Sequence, residues 1–289
     1  MGRYFIHLAY NGANYHGWQT QLTTSEEAQT ASVQSGLATV QQTLEKALST
    51  LLRQKIAVVG CGRTDSGVHA SDFYAHFDVD ESFLTFGLFD SLTFKLNSFL
   101  PPDIAIFNIF PVADNAHARF DAIARTYQYH VSDRRLPFRQ GLYSRIYFRP
   151  DVERMNEAAR VLMEYEDFTS FAKLHTQVKT NICHLMEACW EEVPLSPADS
   201  FPNLREQQYE WVFTIRSNRF LRNMVRSVTG TLLDVGRGKL SIDGLRQIIE
   251  KKDRCAAGVS MPACGLFLTK VEYPIKTIGT IATIENIEQ

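Results

Sequence analysis

The chain has 289 residues, 45% of them hydrophobic and 11% aromatic, so it can bury one large core or two smaller ones. Its formal net charge of −2 excludes a general electrostatic attraction to nucleic acids or anionic membranes, so a polyanionic partner would need local basic patches. The five cysteines include no CxxC pair, which argues against a disulfide framework and against a zinc ribbon. The sequence also shows no signal peptide and no run of ~18 uninterrupted apolar residues, which argues against export and membrane insertion. We therefore expect a cytoplasmic protein.

The first half of the sequence predicts the element order βαββαβ. Alternating apolar residues predict a strand over 3–10, which ends at the turn signal Asn11-Gly12. Apolar residues spaced three and four apart, from Val33 to Leu51, predict an amphipathic helix. The remaining elements are strands at 55–59 and 73–79, a helix at about 83–99 that stops before Pro101-Pro102, and a strand at 104–110.

The second half predicts the same order, with one additional helix. Its elements are a strand at 122–131, a helix at 151–164, strands at 182–193 and 207–217, helices at 219–235 and 242–252, and a strand at 266–273. We therefore predict an α+β fold of two tandem ferredoxin-like βαββαβ halves, residues 1–112 and 113–289. The segments 21–31 and 194–206 are polar or contain proline, which is typical of surface loops.

The stretch from Gly60 to Ala70 reads GCGRTDSGVHA and connects two predicted strands. One interpretation is a tight turn at Asp65-Ser66-Gly67, because aspartate accepts backbone hydrogen bonds and glycine tolerates positive φ. The other is a reactive carboxylate on a glycine-lined loop that a ligand can approach closely, with Arg63 on the same side of the extended chain. The two interpretations are compatible.

Two segments carry a local excess of basic residues. Residues 216–239 hold six of them against Asp234, and residues 125–149 hold six arginines against Asp133. On the helix predicted near 219–235, Arg219, Arg222 and Arg226 would line one face, which in isolation could simply be a solvated face. Together the two excesses predict a segregated basic surface, as expected for binding phosphate backbones.

The strand that begins near residue 122 places Arg125, Tyr127 and Tyr129 on one face. Exposed tyrosines among arginines can stack a nucleobase and hold its phosphate. The alternative is packing within the sheet, which we favour for Tyr129. No phosphate-binding loop, dinucleotide fingerprint or zinc-deaminase motif occurs, and Cys183 with Cys189 is better explained by packing, so we expect neither a nucleotide cofactor nor a metal site.

From residue 3 to about 273 the chain resembles the tRNA pseudouridine synthase A family. The matching elements, in order, are Tyr10-Asn11-Gly12, Gly17-Trp18-Gln19, Thr39-Val40-Gln41, Gly62 to Ala70, Ala124 to Tyr129, Asn218 to Leu221, Met224-Val225-Arg226 and Gly265-Leu266. The family pattern has alanine where this chain has Ser66. The resemblance implies two similar halves sharing an extended antiparallel sheet, a positively charged cleft, and a homodimer that acts without a cofactor on uridines 38 to 40 of the tRNA anticodon arm.

The resemblance also implies roles for individual residues. Asp65 would be the nucleophile, and Arg226 is our candidate for the cation that favours its charged form. Tyr127 would lie against the flipped uracil and is a candidate for handling the C5 proton. The RNA contacts implied are those of Arg63, Arg219, Arg222, His69 and Leu266, besides Tyr127. Two other functions fit the same residues: a non-catalytic two-module RNA-binding protein, and a hydrolase in which Asp65 attacks C1′ and water frees the base.

Overall fold

The computed structural model describes residues 1–19, 38–80, 88–173, 179–196, 199–200, 208–274 and 277. It divides into two compact units, Met1–Ile123 with Leu268–Gln289, and Ala124–Phe267. The predicted second half, 113–289, therefore differs from the observed unit at both ends. The reason is local pairing: the Ile123 N–H donates to the Glu272 carbonyl, and the Val271 N–H donates to Oδ2 of Asp72 at 2.7 Å.

The first unit has the predicted order βαββαβ. Its elements are β1 (Gly2–Tyr10), α1 (Val40–Leu52), β2 (Val58–Gly60), β3 (His69–Val79), α2 (Leu88–Phe99) and β4 (Ile104–Pro111). Strand β1 pairs antiparallel with both β3 and β4, so that Tyr4 lies opposite Phe77 on one side and Pro111 on the other. Strand β2 pairs antiparallel with β3, and residues from Leu268 onward in β9 (Leu266–Glu272) lie on the other flank of β3.

Helix α1 begins later than the apolar pattern predicts. Thr39 caps it: the Thr39 hydroxyl accepts from the Gln42 N–H, and the Gln42 side chain accepts from the Thr39 N–H. This reciprocal capping box satisfies two backbone donors that no helical carbonyl can reach, and so it fixes the start of the helix at Val40. The predicted positions Val33 and Leu37 lie outside the described residues.

The second unit contains the remaining elements. They are β5 (Ala124–Ser132), β6 (Ser144–Arg145), α3 (Val152–Leu162), β7 (Leu185–Pro194), β8 (Tyr209–Ser217), α4 (Met224–Gly236) and α5 (Ile242–Lys251). Strand β8 pairs antiparallel with β5 and β7, whereas the two-residue β6, which the sequence did not predict, pairs parallel with β5. The fold is thus mixed α+β with a large mixed sheet, and its finer description as tandem ferredoxin-like halves stays a prediction.

Helix α4 also differs from its prediction. It begins at Met224, because Asn223 adopts the left-handed conformation at φ 67° and ψ 0°. Asparagine tolerates this conformation better than most residues, but a helix cannot continue through it. Arg219 and Arg222 therefore precede the helix, and the prediction that they share a helical face with Arg226 is wrong. Within the residues described, no helix combines the length and apolar character required to cross a bilayer.

Candidate active site

Asp65 opens a tight turn in the connection between β2 and β3. The Val68 N–H donates to the Asp65 carbonyl at 3.1 Å, and Gly67, two residues after Asp65, has φ +79°. The predicted turn is confirmed, and a glycine is required in it because positive φ strains other residues. Asp65 is half-buried and Arg63 is exposed, so both side chains can meet a ligand.

The segment after β1 holds this turn in place. The Trp18 N–H donates to the Thr64 carbonyl at 3.4 Å, and the Tyr10 and Thr64 hydroxyls form a hydrogen bond of 2.9 Å. On the far side of Asp65, the Tyr15 carbonyl accepts from the Gly67 N–H at 3.3 Å. Asp65 is therefore fixed through both of its flanking segments.

Gly17 permits the close approach of these two segments. A Cβ atom at this position would lie 2.3 Å from the Thr64 carbonyl oxygen, and Gly17 itself has φ +76°. Any side chain would push the segment away from the residue that precedes Asp65. The glycine of the Gly17-Trp18 pair is thus explained by its close contact with the backbone of Thr64.

His69 and Leu266 are buried. His69 is 1% exposed, and its Nδ1 accepts a hydrogen bond from the Gly12 N–H at 3.1 Å. Leu266 is 6% exposed at the start of β9. The imidazole of His69 therefore offers no surface for the direct RNA contact predicted from the sequence, and the contact of Leu266 stays a prediction. The imidazole instead ties the start of β3 to the segment that supports Asp65.

The tyrosine strand is β5. Tyr127 is 9% exposed, and its ring stands nearly perpendicular to that of Phe220, with 5.1 Å between centroids. Tyr129 is fully buried and donates its hydroxyl to the Pro262 carbonyl at 2.7 Å, which confirms its predicted packing role. Burial raises the pKa of Tyr129 above its ordinary value, so this phenol remains a hydrogen-bond donor.

Arg226 lies in the first turn of α4 and is held by a loop of the same unit. Its Nε–H donates to the Met261 carbonyl at 2.6 Å, while the Met261 N–H donates to the Arg226 carbonyl at 3.1 Å. The first contact fixes the plane of the guanidinium group, and the second fixes the loop against the first turn of α4.

The arginines before α4 line the segment 218–223 rather than a helical face. Arg219 donates to the Thr180 carbonyl at 3.2 Å, and Arg125 of β5 donates to the Asn218 carbonyl at 3.0 Å. Arg222 is exposed. These contacts bring Arg125 to the backbone segment that contains Arg219, without the predicted helix.

The predicted basic excess is smaller in the fold than in the sequence. Two of the counted arginines pair with glutamates, Arg139 with Glu210 at 2.8 Å and Arg149 with Glu192 at 3.4 Å. Two others, Arg134 and Arg237, pair with Asp133 and Asp234, the acids that the counts already included. Burial would raise the pKa of Glu210, but hydrogen bonds from His130 and Arg139 outweigh it and lower the pKa, so the carboxylate stays charged. Both glutamates lie on strands outside the segments that were counted, which is why local counting missed them.

Of the two cysteines near β7, Cys183 is packed and Cys189 is partly exposed. Cys183 is fully buried, and burial raises the pKa of its thiol to about 11. Among the residues that the structure describes, no three His, Cys, Asp or Glu side chains are grouped so as to hold a metal ion.

Two residues of the site were not identified from the sequence. The Tyr15 hydroxyl donates to Oδ1 of Asp103 at 2.5 Å, and the Tyr15 carbonyl accepts from the turn that follows Asp65. Tyr15 lies between two motifs quoted above, and Asp103 directly follows the Pro101-Pro102 pair, which was interpreted only as a helix stop. Their spacing of 88 residues gives no local signal of contact.

Comparison with known proteins places the chain in a family. A family profile described as tRNA pseudouridine synthase matches residues 158–274. The tRNA pseudouridine synthase A of Bacteroides thetaiotaomicron is 52% identical over 274 residues, covering 95% of this chain and 91% of that protein. The corresponding proteins of Parabacteroides distasonis and Bacillus subtilis are 50% and 37% identical, covering 95% and 92% of this chain and 97% of each relative. The chain belongs to the tRNA pseudouridine synthase A family, which is a family of isomerases.

Proposed function

We propose that this chain converts uridine in tRNA to pseudouridine, with Asp65 as the nucleophile. The observation that carries the proposal is the Asp65 turn: a half-buried carboxylate whose backbone is hydrogen-bonded on both sides, beside an exposed Arg63. A solvated loop aspartate needs no such support, whereas a group that attacks one atom of a substrate does. Membership of the family supports the same reaction.

The reaction is an isomerisation within one nucleotide. The N1–C1′ glycosidic bond breaks, the base turns, and a C5–C1′ bond forms, after which the C5 proton is lost and N1 gains one. Electrons and atoms balance without an oxidant or a reductant, so the carboxylate can divide one difficult step into two. Attack at C6 of the ring, attack at C1′ and an elimination route all place Asp65 at the reacting nucleotide.

Tyr127 and Arg226 are proposed to assist. The target base must be extruded from its stack at a cost of a few kcal/mol, and an aromatic ring repays part of this by stacking on the base. Tyr127 supplies that ring, and its phenol is the candidate acceptor for the C5 proton. Arg226 supplies positive charge from a guanidinium whose plane is already fixed by Met261. Arg63 fills the space left by the base or holds its phosphate.

The substrate is proposed to be the anticodon arm at uridines 38 to 40, bound by a cytoplasmic homodimer. The support is the motif resemblance, together with Arg219 and Arg222 on the segment before α4 and Arg125 at the start of β5. Electrostatic binding of this kind releases counterions, so the affinity should depend steeply on salt.

Product analysis tests the proposal against hydrolysis and against mere binding. The wild-type protein is incubated with tRNA carrying labelled uridine in the anticodon arm, and the nucleosides are separated after digestion. Pseudouridine is the expected product. Free uracil would show a hydrolase that uses the same carboxylate, and unchanged uridine with retained binding would show a non-catalytic RNA-binding protein.

A further inference from the structure

Tyr15 connects the Asp65 turn to the rest of the first unit. Its carbonyl oxygen accepts two hydrogen bonds, from the Gly67 N–H at 3.3 Å and from the Ser66 hydroxyl at 3.2 Å. Ser66 and Gly67 directly follow Asp65, and the turn closes when the Val68 N–H donates to the Asp65 carbonyl. A displacement of Tyr15 would therefore move the backbone that carries the Asp65 carboxylate.

The side chain of Tyr15 is fixed from its other end by Asp103. The Tyr15 side chain is 5% exposed, and its hydroxyl donates to Oδ1 of Asp103 at 2.5 Å. Burial and the neighbouring Asp103 carboxylate raise the pKa of Tyr15, so the phenol stays protonated and remains a donor. Oδ2 of Asp103 accepts from Nδ2 of Asn14 at 3.3 Å, and its carbonyl accepts from the Asn11 N–H at 2.9 Å. One residue thus holds three points of the segment that supports the turn.

The backbone of Asp103 is held in place by strand β4 and by the turn that precedes it. It directly precedes β4, whose first residue, Ile104, pairs with Tyr10 at the end of β1. The Ile104 N–H also closes a turn onto the Pro101 carbonyl at 3.0 Å. A continuous path therefore runs from the sheet through Asp103 and Tyr15 to the turn of Asp65.

We infer that Tyr15 and Asp103 are positioning residues for Asp65: the hydrogen bond between them holds the Tyr15 carbonyl where it can fix the catalytic turn. This inference rests on the proposed role of Asp65 as the nucleophile. Ser66 adds a second hydrogen bond to the same carbonyl. An alanine, which the family pattern has at this position, could not form it, so this chain reinforces the turn with a contact of its own.

Steady-state kinetics over a range of tRNA concentrations test the inference. Tyr15→Phe keeps the ring and removes only the hydroxyl, and Asp103→Ala removes the acceptor. We expect each to lower kcat roughly 10–100-fold while KM stays within about twofold, because misplacing a reacting group costs rate rather than binding. Asp103→Asn should recover part of the loss, since its amide oxygen can still accept. Ser66→Ala should have a smaller effect because the Gly67 hydrogen bond remains.

A matched control separates positioning from general destabilisation. Tyr165 donates its hydroxyl to Oε1 of Glu250 at 3.0 Å, which is another tyrosine–carboxylate pair. Tyr165→Phe should leave kcat unchanged. The double variant Tyr15→Phe with Asp103→Ala should be no slower than the slower of its two single variants, since both remove the same hydrogen bond. Additive losses in the double variant would overturn the inference.

Amide hydrogen exchange gives a readout that does not depend on activity. If the Tyr15 carbonyl is displaced, the Gly67 amide should exchange at least ~10-fold faster in Tyr15→Phe and at the wild-type rate in Tyr165→Phe. A wild-type protein that makes no pseudouridine would refute the proposed function, while the exchange of Gly67 would still report the coupling to Asp103. An unchanged exchange rate, or a faster exchange with unchanged kcat in an active enzyme, would overturn the positioning role.

Discussion

Arg226 and Met261 hold each other through two hydrogen bonds, one from the Arg226 Nε–H to the Met261 carbonyl and one from the Met261 N–H to the Arg226 carbonyl. The first fixes the guanidinium plane and the second fixes the loop against the first turn of α4. Because the contact to Met261 uses Nε, a lysine at this position would keep the charge but lose the fixed plane.

Arg226→Ala is expected to lower the rate of pseudouridine formation by at least ~100-fold while tRNA binding changes little. The reason is that the charge of Arg226 is proposed to stabilise the reacting groups rather than to bind tRNA. Arg226→Lys should recover only part of the rate. Single-turnover rates and filter binding on the same preparations check both statements. As a comparison, Arg222→Ala should weaken binding and leave the rate at saturating tRNA unchanged. Near-normal turnover by Arg226→Ala would show that the proposed role is wrong.

Tyr127→Phe separates the two roles proposed for this side chain. The ring and its edge contact with Phe220 are kept, so stacking on the base should survive, while the phenol can no longer take the C5 proton. We expect a reduced kcat and an unchanged KM, measured by steady-state assay over a range of tRNA concentrations. Full activity would leave stacking as the only role of Tyr127.

Tyr129→Phe is the matched variant on the same face of β5. It removes the hydrogen bond to the Pro262 carbonyl and is expected to lower the free energy of unfolding by ~0.5–1.5 kcal/mol. Activity per folded molecule should not change. Urea unfolding together with the steady-state assay distinguishes this outcome from a catalytic role, which a lower kcat at unchanged stability would indicate.

The salt dependence of tRNA binding tests which arginines contact phosphates. Removing one phosphate contact should reduce the slope of log K against log salt by about one, so Arg219→Ala and Arg222→Ala should each flatten it. Arg139→Ala should not, because Arg139 is paired with the buried Glu210 at 2.8 Å. Binding measured from about 50 to 200 mM salt gives the slopes. A flat response of the wild type would contradict the basic surface altogether.

His76 gives the first unit a pH-dependent stability. It is 5% exposed, and its Nδ1 accepts from the Ala118 N–H at 3.1 Å. Burial, the largest cause, and the charges of Arg3 and His117 together lower its pKa to about 4, against the smaller opposing effect of the carboxylates of Asp78 and Asp121. The folded state therefore prefers the neutral imidazole.

Because the folded state prefers neutral His76, the protein should lose stability as the pH falls. An unfolded histidine titrates near pH 6.5 and the folded His76 near 4, so stability present above pH 6.5 is lost as the pH falls towards 4. At pH 5 the loss is on the order of 2 kcal/mol. His76→Asn keeps an acceptor for the Ala118 N–H but cannot titrate. Urea titrations at pH 7 and at pH 5 give the free energy of unfolding of both proteins. From pH 7 to pH 5 this free energy should fall less in His76→Asn than in the wild type. An equal fall in both proteins would show that His76 does not cause the pH dependence.

The sequence predicted most elements of the fold because their signals are local. Alternation in β1 and the apolar spacing of α1 depend on residues within one element, and both elements are observed. The start of α4 was mispredicted because the left-handed backbone of Asn223 depends on its surroundings: Nδ2 of Asn223 donates to the Ser260 hydroxyl 37 residues away. Such a contact leaves no periodic signal.

The candidate site was predicted only in part. The Asp65 turn followed from turn chemistry, and the burial of Tyr129 was expected. The contact of Tyr15 with Asp103 and the neutralisation of Arg139 by Glu210 were not found, because each joins residues at least 71 positions apart. Residue types and their spacing identified the side chains that are able to react. Contacts between residues far apart in the sequence determine which of these side chains are hydrogen-bonded, ion-paired or buried, and the sequence carries no local signal for such contacts.

The proposed reaction depends above all on the Asp65 carboxylate. Asp65→Asn is nearly isosteric and cannot act as the nucleophile, so it should still bind tRNA. With tRNA labelled at its anticodon-arm uridines and enzyme in excess over tRNA, we expect the wild type to produce pseudouridine and Asp65→Asn to produce none above background. Pseudouridine formed by Asp65→Asn at the wild-type rate would contradict the claim.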